Sequence, residues 1–302
     1  MQYTKLKIET SFNLKKMNRH FRVLWILCLF TIPNFSSNVF GQGQDNMGSS
    51  SAKPFNIGEI VEIDSHILGE KRVLNIYLPE GYTKDSSTTY PVIYLLDGSV
   101  NEDFIHIVGL VQFFDLQMVM PKTIVVGIAN VDRKRDFTFP TSNQELKDKY
   151  PTTGGSEKFI NFIEKELQPF ISQNYRTNET KILIGQSLGG LVATEILLKN
   201  APLFSHYIII SPSLWWDDES LLKNAPTLFA QQNNMPKYVY VSVGSEGSIM
   251  EKGAKRIARV LQNGGKNGLK VDFVFLPKEN HATILHESVY QAFKILYPYK
   301  DP

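Results

Sequence analysis

The sequence predicts an α/β fold: a mostly parallel, doubly wound sheet behind a short antiparallel start. Three observations predict it. From residue 90 onward, short apolar runs alternate with amphipathic helical segments, the pattern of parallel strands joined by crossover helices. The runs at 90–98 and 123–129 are continuously apolar, as strands buried on both faces are. Residues 57–67 instead alternate polar and apolar side chains, which suits a strand with one face in water.

The elements follow in order. Residues 42–54 are rich in Gln, Gly, Asn and Ser and read as a leader. Strands are expected at 57–67, 73–79 and 90–98, a helix at 102–119 and a strand at 123–129. Residues 131–154 form a long polar loop, a length that usually signals function or disorder. Apolar positions 159, 160, 163, 167, 170 and 171 then place one helix over 156–174. A strand over 181–186 leads into a helix at Leu188. Strands follow at 207–211, 238–244 and 271–276. The helices beside them are expected at 218–230, along Met250, Ala254, Ile257, Ala258 and Leu261, and from His281 to Leu296. No internal repeat is present.

Composition narrows the function classes. The chain has 302 residues, 42% hydrophobic and 21% charged, with net charge +2. Residues 1–41 hold six Lys or Arg against one acid, so the remainder is slightly acidic. That argues against nucleic acid as a partner. Lys15, Lys16, Arg19 and Arg22 precede the apolar run 23–30 and then small polar residues. We read 1–41 as a secretion signal with cleavage near Gly41, Met17 being an alternative start; the apolar run is too short to span a bilayer. Cys28 is the only cysteine and falls within that signal. A mature chain without it has no disulfide, thiol nucleophile or cysteine zinc site.

Chemistry enters at Gly185-Gln186-Ser187-Leu188-Gly189. Gly-x-Ser-x-Gly between a strand and a helix is the context of a nucleophile elbow. The serine takes a strained backbone position, and the glycines two residues either side relieve crowding. The helix N-terminus behind it favours developing negative charge. A serine hydroxyl needs a base, commonly histidine, and an acid to orient that base. Of six histidines, His281 follows the last strand directly, at the strand end where such sheets hold their sites. His286 lies five residues on, in the helix expected next. For the acid, Glu246 follows the strand ending at Gly244; Glu251, Asp217 or no acid at all are the alternatives. Oxyanion donors are expected from the Leu188 N–H and from either Gly98 or Ser99. Trp215 and Trp216 cap the core or line a cleft for substrate. Arg133 and Arg135 contact an anionic or phenolic substrate or are solvated on their loop. The chemistry calls for no metal and no cofactor.

Several segments together resemble a known family. They are Leu95-Leu96-Asp97-Gly98, residues 135–140, residues 185–190, Ser211-Pro212-Ser213-Leu214-Trp215-Trp216 and Asn280-His281. They resemble the esterase D family of α/β-hydrolases, over about residues 57–298. That family includes feruloyl esterases, ferric-siderophore esterases, acetyl-ester hydrolases and mycolyltransferases. The resemblance implies an α/β-hydrolase fold, Ser187 as nucleophile, His281 as base, and an acid after the seventh strand. Members vary at that acid. Phe139 is inserted in the usual Asp-x-Thr-Pro run, which leaves the roles of Arg133 and Arg135 open.

The expectation is a secreted or periplasmic serine esterase. Its parts are a signal at 1–41, a leader at 42–56 and an esterase domain at 57–302. Its partner is a small-molecule or polysaccharide ester, such as a feruloyl or acetyl ester or a siderophore lactone. No nucleic acid and no stable membrane span after signal removal are expected, and the oligomeric state is open. An acyltransferase on the same fold, or a glycan-binding module, is the alternative.

Overall fold

A computed structural model describes residues 52–84, 86–233 and 236–299. The expected signal at 1–41, with Cys28, lies outside the described residues, as does most of the leader. Residues 52–56 are exposed and have no regular structure.

The elements are β1 (Glu59–Ser65), β2 (Glu70–Tyr77), β3 (Tyr90–Leu95), α1 (Phe104–Leu116), β4 (Ile124–Ile128), α2 (Arg133–Asp136), α3 (Gln144–Lys149), α4 (Ser156–Phe162) and α5 (Gln168–Asn174). They continue with β5 (Thr177–Gln186), α6 (Leu188–Lys199), β6 (His206–Ile210), α7 (Trp216–Gln231), β7 (Tyr238–Gly244), α8 (Ser248–Asn263), β8 (Lys270–Leu276) and α9 (Ile284–Leu296). The eight strands form one sheet in the order β1-β2-β4-β3-β5-β6-β7-β8. The β1–β2 and β2–β4 pairs are antiparallel, and all later pairs are parallel. This is the α/β-hydrolase architecture.

Side chains of the central strands alternate between two apolar layers, as the pleat requires. On β3, Val92 and Tyr94 face the layer of α4, α5, α6, α7 and α8, whereas Ile93 and Leu95 face that of α1 and α9. The strand order reverses at β3, which sits between β4 and β5. Such a switch point opens a crevice beyond the strand ends, where ligands bind. The turn after β3 and the turn after β5 both meet there.

The structure departs from the sequence reading in four places. The last helix starts at Ile284, because side chains first close a turn over 280–283: Asn280 Oδ1 accepts from Ala282 N–H at 2.9 Å and Thr283 Oγ1 accepts from Asn280 N–H at 3.1 Å. His281 therefore lies in a turn ahead of the helix. The loop 131–154 holds two short helices, α2 and α3. Asp132 and Asn143 start them by accepting from Arg135 N–H at 3.0 Å and Leu146 N–H at 3.2 Å. The helix over 156–174 contains a π turn at Ile163–Leu167. Asp217, Asp218 and Glu219 have φ of 49°, 52° and 61°, so α7 becomes regular only after them.

Candidate active site

Strand β5 drives straight into Ser187, which has φ 60° and ψ −118°. A non-glycine residue reaches that region only when its surroundings hold it there. The hold is visible. Ser187 N–H donates to the Ile210 carbonyl at 3.0 Å, and the Ser187 carbonyl accepts from Ser213 N–H at 3.0 Å. Both partners come from the neighbouring β6 end, so the elbow is stitched to the adjacent strand. A Cβ on Gly185 would lie 2.5 Å from the Gly189 carbonyl oxygen, and one on Gly190 would lie 2.9 Å from the Ile210 carbonyl oxygen. A Cβ on Gly189 would meet nothing nearer than 3.4 Å. The crowding expected at residues 185 and 189 therefore falls on 185 and 190.

His281 and Glu246 converge on this hydroxyl. His281 Nε2 is 3.0 Å from Ser187 Oγ, and His281 Nδ1 is 2.5 Å from Glu246 Oε2. With Nδ1–H donated to the carboxylate, Nε2 presents its lone pair to the serine. Glu246 is 2% exposed at its side chain, His281 47%. The carboxylate also accepts from Ser211 Oγ at 2.5 Å and Gly244 N–H at 3.1 Å. Burial pushes the Glu246 carboxyl up. The bonds from His281, Ser211 and Gly244 outweigh it and hold the group below its ordinary value. Gln186 Nε2 donates to the His281 carbonyl at 2.5 Å, tying the histidine turn to the residue before the serine. The other two candidate acids are engaged elsewhere. Glu251 accepts from Glu246 N–H at 3.2 Å and Gly247 N–H at 3.0 Å, which shapes the Glu246 turn. Asp217 accepts from Thr141 Oγ1 at 2.7 Å and Ser142 N–H at 2.9 Å.

The oxyanion donors separate as well. Leu188 is the first residue of α6, so its N–H has no acceptor within the helix. Gly98 N–H donates to the Ile128 carbonyl at 3.0 Å and is committed to the sheet. Of the two residues the sequence left open, this leaves Ser99 as the candidate donor. Gly98 serves close packing instead. Its backbone lies against Gly127, and a Cβ on it would collide there. Asn75 Nδ2 adds a bond to the Gly98 carbonyl at 2.8 Å.

Arg133 braces this turn. Its Nε and Nη2 grip Asp97 Oδ1 and Oδ2 at 2.6 and 2.9 Å, and Nη2 also points at the Gln186 carbonyl at 3.4 Å. Asn130 Nδ2 supports the same carboxylate at 2.6 Å. Arg135 goes elsewhere. It pairs with Asp136 at 2.7 Å and bonds Glu70 through both Nη atoms, and Asp136 in turn binds the buried Arg72 at 2.7 Å. Neither arginine is simply solvated, and Arg135 is a strut between α2 and β2.

Two hollows meet at Ser187, Ser213 and Trp215. One, about 600 Å³, is lined by Glu246, Met250, Asn280 and His281. The other, about 210 Å³, is lined by Arg133, Lys134, Thr138 and Tyr150. Lys134 Nζ sits 4.7 Å above the Tyr150 ring. The tryptophan pair divides between the two roles the sequence allowed. Trp215 lines both hollows. Trp216 is 1% exposed and gives its indole N–H to the Phe139 carbonyl at 2.9 Å, so it forms a floor. Sequence reasoning assigned no role to Gln186, Ser211, Ser213, Asp97 or Asn130. Ser211 and Ser213 lay in a segment noted for its tryptophans and for the family resemblance, with no role given to either serine.

Comparison with known proteins identifies the family. The model of the Esterase family, described as "Putative esterase", matches residues 65–282. The chain is 29% identical over 272 residues to the ferri-bacillibactin esterase BesA of Bacillus subtilis, covering 82% of this chain and 92% of that one. An IroE-like serine hydrolase from Shewanella oneidensis is 32% identical with a TM-score of 0.73, over 81% of this chain and 82% of its own. The BES protein from Bacillus cereus is 29% identical with a TM-score of 0.72, over 83% of this chain and 100% of its own. The chain thus belongs to the Esterase family of α/β-hydrolases and is a carboxylic ester hydrolase.

Proposed function

We propose that the protein is a serine esterase that opens ester bonds of a siderophore lactone by way of an acyl-enzyme. The observation that carries this is the relay from Glu246 through His281 to Ser187, at 2.5 and 3.0 Å. His281 Nε2 takes the proton as Ser187 Oγ adds to the ester carbonyl. The Leu188 and Ser99 N–H groups hold the oxyanion. His281 returns the proton to the departing alkoxide, so the acyl group stays on Ser187. Water then attacks with His281 again as base, releasing the acid and restoring the serine. Glu246 keeps the imidazole in the required tautomer and stabilises its charged form.

The substrate class rests on the named activity of the Bacillus subtilis relative and on the wall beside Ser187. Trp215, Tyr150 and Lys134 offer flat aromatic faces and a cation, which suit a phenolic or catecholate acyl group. We read residues 1–41 as a signal that carries an esterase domain, 57–302, out of the cytoplasm. Among the described residues, no helix is long and apolar enough to cross a membrane.

The test is turnover of p-nitrophenyl acetate, methyl ferulate and a catecholate trilactone by wild type and Ser187→Ala. The trilactone is expected to give a kcat/KM higher than the others by at least about tenfold, with all activity lost in the variant. Preference for methyl ferulate would move the assignment to plant-polysaccharide esters. Faster product formation with an added alcohol, and capture of the acyl group on it, would make the protein an acyltransferase.

A further inference from the structure

A second cluster of chemistry lies outside the relay. His106 on α1 and His286 on α9 face each other, with Nδ1 to Nδ1 at 3.3 Å and ring centroids 5.4 Å apart. Behind His106, Asp103 Oδ1 is 3.2 Å from Nε2. His286 is exposed, and His106 is 36% exposed at its side chain. The reaction proposed above uses none of these groups.

We propose that His106 and His286 form a binding site for a divalent transition-metal ion of the zinc class. The spacing points to it. Zinc holds imidazole nitrogens at about 2.0–2.1 Å in tetrahedral geometry, which places two ligand nitrogens roughly 3.3–3.4 Å apart. The pair already stands at that separation. Asp103 supplies the outer support that metal-binding histidines use. By accepting the Nε2–H of His106 it fixes the tautomer in which Nδ1 is a bare lone pair. Without metal the facing atoms share one hydrogen bond, His286 Nδ1–H donating to His106 Nδ1; an ion seated beside the N–N line displaces that proton and is bound by both nitrogens. Glu287 directly follows His286 and adds negative charge. Among the described residues no third His, Cys, Asp or Glu is placed to join the two imidazoles, so the proposed site has two protein ligands and leaves the remaining positions to water. Two protein ligands imply micromolar rather than structural-site affinity.

The position gives the ion a mechanical consequence. Asp103 N–H donates to the Asp97 carbonyl at 3.1 Å, and Asp97 carries the turn that holds Ser99. His286 lies two residues past the start of the helix that follows His281. An ion here clamps the helix after the oxyanion turn to the helix after the histidine turn.

The test is zinc binding to the full chain, followed by calorimetry and by competition with a chromophoric chelator, with cobalt(II) as a spectroscopic substitute. Wild type, His106→Gln, His286→Gln and Asp103→Asn are compared. All three positions are at least partly exposed, and unfolding curves without metal are expected to coincide. One zinc per chain is expected. Each histidine variant should weaken binding at least about tenfold, and Asp103→Asn about tenfold. Zinc should raise the Tm of wild type and not of His106→Gln. Absence of zinc binding in wild type, or binding unchanged in both histidine variants, overturns the site. Neither result touches the serine relay, which Ser187→Ala tests separately.

Discussion

Glu246 and Ser211 are joined by a 2.5 Å hydrogen bond from the Ser211 hydroxyl to Glu246 Oε1, while Oε2 of the same carboxylate holds His281. The carboxylate is thus fixed on both oxygens, from the end of β6 and from the turn after β8. Ser211 has φ 43°, an unfavourable backbone position that aims its hydroxyl at the acid. In the mechanism proposed above, this double hold orients the imidazole of an exposed turn as the base.

Replacing Glu246 by Gln should therefore lower kcat for a small ester by roughly 10²–10⁴-fold with little change in KM. The pH dependence has a defined sign. The folded carboxyl titrates below its ordinary value of 4.5, so the ionised group contributes stability in full above that value. The contribution fades as pH falls through the lowered folded value. Thermal unfolding of wild type and Glu246→Gln should show a Tm gap near neutrality that closes as pH drops below 4.5. A gap that widens on acidification would contradict this.

The Arg133–Asp97 clamp holds the turn that carries Ser99, the proposed oxyanion donor. Arg133→Met should cut kcat for neutral p-nitrophenyl acetate by about 10–100-fold while leaving KM within about threefold. Arg133→Lys should recover little, because an ammonium cannot grip both carboxylate oxygens in a plane. Steady-state kinetics on the neutral ester separate this role from attraction of an anionic substrate, which would appear in KM and only with charged esters.

The glycines of the elbow should differ under substitution. Gly185→Ala forces a methyl against the Gly189 carbonyl and should cost about 1–3 kcal/mol. Gly189→Ala meets only ordinary contacts and should be close to neutral. Denaturant unfolding of the two variants measures the difference, and equal losses would refute the assignment.

The Arg72–Asp136 pair is buried, with side chains 0% and 1% exposed. Asp136→Asn leaves Arg72 with Glu70 as its remaining charged partner and should cost about 3 kcal/mol. For a chain of this size that is a Tm drop of roughly 6–12 °C. The pair anchors α2, which carries Arg133, so activity should fall with stability.

Much of this architecture was legible in residue patterns. Buried apolar runs marked β3 and β4, and helical periodicity marked α6 and α8, because hydrophobic period follows backbone geometry directly. The Gly-x-Ser-x-Gly segment and the histidine after the last strand were legible from chain order alone, and the structure brings Ser187, His281 and Glu246 together. What stayed hidden depends on contacts distant in sequence. That Gly98 N–H is tied to Ile128, that Arg133 grips Asp97, and that Trp216 is floor while Trp215 is wall are pairings that no local pattern encodes. Gly190 was missed because its crowding comes from the end of β6, not from its own turn. The start of α9 was misplaced because the Asn280 and Thr283 side chains close a turn ahead of it, which periodicity alone does not reveal.

The central claim is that Ser187 Oγ is the attacking atom, activated across 3.0 Å by His281. The most direct measurement is intact-mass and peptide mapping after exposure to a fluorophosphonate. One adduct per chain is expected, located on Ser187, absent in Ser187→Ala and slowed by at least about 10³-fold in His281→Gln. An unlabelled wild type, or an adduct on another residue, would contradict the account.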